Sequence, residues 1–164
     1  MAKDKKQPDD APKHGPRMTN RKARHDYEIL QVLECGIELT GTEVKSLRGG
    51  QGKIDEAYAR VRNGQLMLVG AHIAPYPQAG PMMQHEPTRE RRLLIHRRQI
   101  AELESHVRQK GNTIVPLTLY FHRGWAKIEI GLAVGKRKFD KRADIKKREQ
   151  QRDINRAMGK RDRR

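Results

Sequence analysis

Between Lys136 and Arg164 stand 14 Lys or Arg against 5 Asp or Glu, a local net charge of +9. By the same count residues 1–25 carry +5 and residues 26–135 only +2, which together make the net +16 of the 164-residue chain. Cations at such density do one kind of chemistry: they neutralise a polyanion and release its counterions. Basic arms on either side of a nearly neutral middle describe a folded module that grips a polyanion with its extensions. With a pI near 10.4, nucleic acid is the first candidate. An anionic membrane surface would require a helix with one strongly apolar face, which neither arm has. No run approaches the roughly 18 apolar residues of a membrane span, and the N-terminal stretch has no apolar signal region.

Other chemistries lack their residues. His14, His25, His72, His85, His96, His106 and His122 stand at no metal-ligand spacing with a Cys, an Asp or each other. No Walker-type loop, nucleophile elbow or H-E-x-x-H motif occurs. Gly49-Gly-Gln-Gly52 lacks the flanking strand and Lys-Ser/Thr of a phosphate loop, and reads as a helix stop and tight turn. RNA cleavage by histidine and carboxylate acid–base catalysis is a pattern that any basic protein with seven histidines meets. No enzyme, cofactor or metal is expected. Cys35, the one cysteine, excludes an internal disulfide; it reads as a buried structural residue in a reducing cytoplasm.

Within the middle, Arg89, Arg91, Arg92, Arg97 and Arg98 crowd around Leu93-Leu94-Ile95. Two readings stand: a solvated edge strand protected by charge, or a phosphate-binding rim. Lys45 and Arg48, three apart, would present one basic helix face with Lys53 nearby. The chain is only 4% aromatic, and Tyr120, Phe121 and Trp125 are expected in core packing. That argues against base stacking as the main mode and for recognition of a folded RNA's shape and backbone.

These residues need a scaffold, and residues 26–135 are long enough to bury a core. YEILQVLECGIELT reads as two strands, about 26–34 and 36–40, parted by a turn or bulge at Cys35-Gly36. Thr40-Gly-Thr-Glu43 has the spacing of a capping box, so a short helix should run to Gly49-Gly50. Asn63-Gly64 between IDEAYARV and QLMLVGAHI predicts a hairpin, because both central residues of its turn need positive φ. Pro75, Pro77, Gly80, Pro81 and Pro87 punctuate a loop of about 12 residues, long enough for function or mobility. Leu93-Leu94-Ile95 can close a strand, and from His96 a helical spacing of Ile100, Leu103 and Val107 ends at Gly111. TIVPLTLYF and WAKIEIGLAV form a second hairpin around His122-Arg123-Gly124. Val115, Leu117, Leu119 and Phe121 fall on one face, and Ala126, Ile128, Ile130, Leu132 and Val134 on one face of its partner, each strand with one buried side.

The expected fold is mainly β: a small antiparallel OB-like barrel of about six strands with two or three short helices. The expected division is a disordered basic arm over 1–19, an RNA-binding barrel over 20–135 and a basic tail over 136–164. Ala143 to Met158 permits helix, but its sparse apolar residues give it no packing partner, so it should order only in an anionic groove. Phe139, the one aromatic of the tail, is read as a stacking residue among cations.

Four segments carry a family resemblance: N-R-K-A-R-H-D-Y (20–27), E-x-G-I-x-L-x-G-T-E-V-K-S-L-R (34–48), P-T-R-x-R-x-L-L (87–94) and G-K-R-K-F-D-K-R-x-D-I-K-K-R-E (135–149). With consistent spacing from about Asn20 to the C-terminus, the chain resembles the small protein B family. These SsrA-binding proteins partner transfer-messenger RNA (tmRNA) in bacterial trans-translation. The resemblance implies a barrel that holds the tRNA-like domain of tmRNA and replaces its missing anticodon arm. It further implies travel with alanyl-tmRNA and elongation factor Tu to a stalled ribosome. There the tail would enter the small-subunit decoding centre and empty mRNA channel. Asn20, Glu34 and Leu94 match positions tied to tmRNA binding, and Arg21, Arg24, Lys45 and Arg48 join them on charge. Asp140, Lys141 and Arg142 match the family's tail motif beside the decoding centre, and Lys136, Arg137, Lys138 and Phe139 are assigned with them to the decoding centre and mRNA channel. Asp144, Ile145, Lys146, Lys147 and Arg148 would begin the channel helix, with Ile154 and Met158 farther along. Phe139 stands where relatives often carry Tyr or His. The competing class is a basic structural ribosomal or ribosome-assembly protein.

Overall fold

The structure, a computed structural model, describes residues 15–109, 111–136 and 149–150. In chain order its elements are β1 (Met18–Thr19), α1 (Arg21–Asp26), β2 (Tyr27–Ile37), α2 (Gly41–Arg48), β3 (Gly52–Lys53), β4 (Tyr58–Arg62), β5 (Gln65–Val69), β6 (His72–Ile73), a 3-10 turn (Pro81–Met83), β7 (Arg91–Leu94), α3 (Arg97–Val107), β8 (Asn112–His122) and β9 (Trp125–Gly135). Six strands close an antiparallel ring in the order β8-β4-β5-β7-β2-β9, with β9 returning to β8. This is the mainly β, OB-like barrel expected. β1 is added outside β8, so Met18 and Thr19, placed by the sequence reading in the N-terminal arm, pair with Leu119 and Thr118.

Both expected hairpins form. Asn63 and Gly64 take φ of 52° and 68°, and Arg123 and Gly124 take 49° and 83°, so each turn twists with its strands. Leu66, Leu68, Leu93, Ile114, Ile128 and Ile130 fill the interior at 2% exposure or less, each worth about 1.5–3 kcal/mol of burial. Cys35 is among them at 1% exposure, and burial pushes its thiol up to about 12. The loop after β6 is tied across its neck. Gln84 Oε1 accepts from the Tyr76 N–H at 3.1 Å, and its Nε2 donates to the Tyr76 and Ala79 carbonyls.

Three local expectations are corrected. The first concerns β2, which is one 11-residue strand rather than two. Cys35 and Gly36 keep regular register opposite Ile128 and Lys127, and the irregularity falls at Leu30, between Ile29 and Gln31. Gly36 instead marks a change of neighbour, since it pairs with Lys127 on β9 and with Leu94 on β7. A Cβ there would lie 3.2 Å from that of Leu94, so the missing side chain lets the third strand approach and close the ring.

The second correction concerns β8. Its register slips between Pro116 and Thr118, making Leu117 the extra residue of a bulge. A bulge reverses the alternation beyond it. Leu119 and Phe121 therefore enter the barrel interior, whereas Val115 and Leu117 join Ala23 and Ala133 in an outer cluster. Ala23 belongs to α1, so β8 is buried on both faces from Ile114 to Phe121. The third is α1 itself, a helix the apolar spacing did not announce. Asn20 makes it: its Oδ1 accepts from the Ala23 N–H at 2.9 Å, a side-chain N-cap.

Candidate nucleic-acid interface

Register places two rows across the outside of β7, β2, β9 and β8, because the alternate residues Cys35, Ile37, Leu93 and Ile128 point inward. One row runs Leu94, Gly36, Lys127, Tyr120, and the next runs Glu34, Glu129, Thr118 and on to Thr19 of β1. Glu34 and Leu94, 60 residues apart in sequence, are thus neighbours on one surface. Leu94 is 48% exposed, and the Glu34 side chain is 50% exposed.

Glu34 is held ready to accept. Its carboxylate receives the Tyr120 hydroxyl and, at 3.2 Å, the Lys127 ammonium. The Tyr120 hydrogen bond holds its carboxyl below the usual range; partial burial opposes this and Lys127 assists. Burial and the same bond push the Tyr120 phenol up. Arg17 lies 5.7 Å from the Tyr120 ring centroid, and its guanidinium is 3.8 Å from Glu129. An ionised carboxylate in fixed orientation accepts hydrogen bonds from base amino groups or ribose hydroxyls, and the cations beside it favour a phosphate backbone. Tyr120 and Lys127 were missed by the sequence reading. The outward parity of the second hairpin was the signal that pointed to Lys127.

Asn20 sits at the margin of this face with its polar atoms committed to the protein. It is 3% exposed, its Nδ2 donates to the Ile54 carbonyl at 3.1 Å, and its backbone N–H to that of Leu117 at 2.8 Å. It positions α1, on which Arg21 and Arg24 are exposed. Lys136 is drawn to the same helix. Its N–H donates to the Asp26 carbonyl at 2.9 Å and its Nζ to that of Arg24 at 3.2 Å.

On α2 the capping box forms as read, with Glu43 accepting from the Thr40 N–H at 2.8 Å. Lys45 and Arg48 are exposed and lie 5.4 Å from the Tyr76 ring and 5.6 Å from the Phe121 ring. Of the remaining tail residues, Arg137, Lys138, Phe139, Asp140, Lys141, Arg142, Asp144, Ile145, Lys146, Lys147, Arg148, Ile154 and Met158 lie outside the described residues.

Two further expectations are corrected here. Arg89 and Arg91 line neither a solvated edge nor a phosphate rim. β7 pairs on both sides, and both guanidiniums go to Glu43, which is fully buried. Arg89 Nη2 meets Glu43 Oε2 at 2.6 Å, and Arg91 Nε, itself 0% exposed, meets Oε1 at 2.8 Å. Burial pushes the Glu43 carboxyl up, but the Arg89 and Thr40 hydrogen bonds and the two positive charges outweigh it and hold it low. The node fastens α2 to β7. The second correction is Trp125, which is 75% exposed at the hairpin tip, while Tyr120 and Phe121 are buried as expected.

No helix among the described residues is long and apolar enough to cross a membrane. The family model described as SmpB protein matches residues 17–160. The SsrA-binding protein of Salinispora tropica is 54% identical over 143 residues, 87% of this chain and 89% of its own length. That of Nostoc punctiforme is 51% identical over 139 residues, 85% and 90% of the two chains. A solved structure of tmRNA–SmpB in the bacterial ribosome aligns with a TM-score of 0.64 and 48% identity, covering 76% of this chain and 87% of its own.

Proposed function

Because this chain belongs to the SmpB protein family, we propose that it is a tmRNA-binding adaptor of trans-translation, acting through binding rather than catalysis. The observation that carries the reading is the outer barrel face, where ionised Glu34 and exposed Leu94 stand in adjoining rows beside Lys127. On this reading the barrel holds the tRNA-like domain in the cytoplasm. Glu34 and Leu94 contact it directly, Asn20 aims Arg21 and Arg24, and Lys45 and Arg48 supply phosphate contacts. With Met18 and Thr19 counted in the barrel, the division into an N-terminal arm, a barrel ending at Gly135 and a tail over 136–164 assigns the tail to the ribosome. There it enters the decoding centre and empty mRNA channel, delivered with alanyl-tmRNA and elongation factor Tu. The +9 charge of residues 136–164 supports that assignment, since the channel is lined by RNA phosphates.

The test is tmRNA binding by the full chain and by a version ending at Gly135, with ordinary tRNA as competitor and salt varied. Selective binding that survives truncation supports a recognition barrel with a tail left for the ribosome. Loss of binding on truncation, or equal competition by tRNA, overturns it in favour of a ribosomal structural protein.

A further inference from the structure

Leu94 stands on the wall between two concavities, one mainly apolar and one of mixed polarity that carries two arginines. One is a groove of about 710 Å³ lined by Leu39, Val44, Leu94 and Trp125, with Phe121 at its floor. The other, about 550 Å³, is lined by Arg92, Arg97, the hairpin turn at Asn63-Gly64 and Leu94, with Glu104, which pairs with Arg108, also on its wall. Trp125 is 75% exposed although it is the largest apolar side chain of the strongest hairpin. The Arg92 and Arg97 side chains are exposed and have no carboxylate partner among the described residues. Arg89 and Arg91 beside them are both taken by Glu43.

A flat apolar slot adjoining a pair of unpartnered guanidiniums complements one kind of chemical unit, a ring carried on a phosphodiester. Aromatic faces accept unstacked bases, and arginine forks accept phosphate oxygens. A docked protein helix would fill the apolar slot but would have no use for two unpaired cations next to it. We propose that Trp125 and Leu94 clasp an unpaired nucleotide of the bound RNA, base in the groove, with its phosphate on Arg92 and Arg97. The site lies next to Lys127 and Gly36, so it extends the Glu34 face, and the inference rests on the tmRNA-binding reading above. Stacking then adds to shape recognition at one point of the surface.

Trp125 is the only tryptophan of the chain, so its fluorescence reports on this slot alone. The full chain is titrated with the isolated tRNA-like domain of tmRNA, with emission and acrylamide quenching read at saturation. Expected are a strong loss of emission, protection from acrylamide, and a Kd raised about 5- to 150-fold in Trp125→Ala. Trp125→Phe should recover most of that loss, and Arg92→Gln with Arg97→Gln should lower the slope of log K against log salt by about 2. Unchanged emission and quenching in a saturated complex would overturn the slot while leaving tmRNA binding in place. So would emission that responds to ribosomes but not to the RNA domain. Failure of the wild-type chain to bind the domain overturns both readings, which separates the two failures.

Discussion

Tyr120 and Glu34, 86 residues apart in the chain, meet across the strand that separates them, the phenol donating to the carboxylate. β9 lies between their strands and puts Lys127 opposite Tyr120 and Glu129 opposite Glu34. The hydrogen bond is therefore a diagonal over a third strand, and Lys127 closes the triangle at 3.2 Å from the carboxylate. The acceptor is oriented before any ligand arrives, which lowers the entropy cost of using it.

Tyr120→Phe removes that donor and keeps the buried ring. The Glu34 carboxyl should rise towards its ordinary value, followed by carboxyl-carbon NMR titration. Affinity for the tRNA-like domain should fall severalfold, about 1 kcal/mol. An unmoved titration with full affinity would remove the preorganising role.

Glu34→Ala should weaken tmRNA binding without lowering the thermal midpoint beyond a degree or two, because the side chain is half exposed and screened. Binding isotherms and circular dichroism melts on the same samples decide it. Intact affinity would refute Glu34 as a contact.

The Glu43 node controls acid stability. Its folded carboxyl titrates below the unfolded value of about 4.3. Its contribution is therefore complete above about pH 5 and is lost as pH falls through the folded value. Glu43→Gln should cost about 3–5 kcal/mol at neutral pH, because buried Arg91 loses its counter-charge. It should also flatten the acid limb of stability against pH. Urea unfolding from pH 7 to pH 3 measures both.

Gly36→Ala places a methyl 3.2 Å from the Leu94 Cβ, where β2 passes from one partner strand to the other. The expected cost is about 1–3 kcal/mol of stability, together with weaker tmRNA binding as Leu94 is displaced. Wild-type stability in urea would mean that β7 can shift freely.

Asp140→Ala combined with Lys141→Ala and Arg142→Ala follows from the proposed division of labour. Binding to tmRNA should stay near normal while tagging of stalled chains is abolished in a reconstituted translation assay. Loss of binding in proportion to loss of tagging would end the separation of barrel and tail.

The charge of the arms, the two hairpins, the capping box and the burial of Cys35 were all legible in the chain, because each depends on neighbours within a few residues. Asn63-Gly64 needs only positive φ, and Thr40 to Glu43 only one turn of helix. The family motifs singled out Glu34 and Leu94, which the sheet sets in adjoining outer rows. What local pattern could not carry was set by strands meeting at long range. The bulge at Leu117 reversed an otherwise regular alternation, and Gly36, read as a break, became the point of ring closure. Arg91, read as a surface cation, went into the interior because a buried Glu43 from a helix 48 residues earlier accepts it. Trp125, the largest side chain expected in the core, is instead 75% exposed at the first position of its strand, next to the hairpin turn. Hydrophobic period and turn chemistry therefore determined which segments become strands. Register, which depends on where distant strands lock together, decided which side chains stand together on the outer face and which face one another.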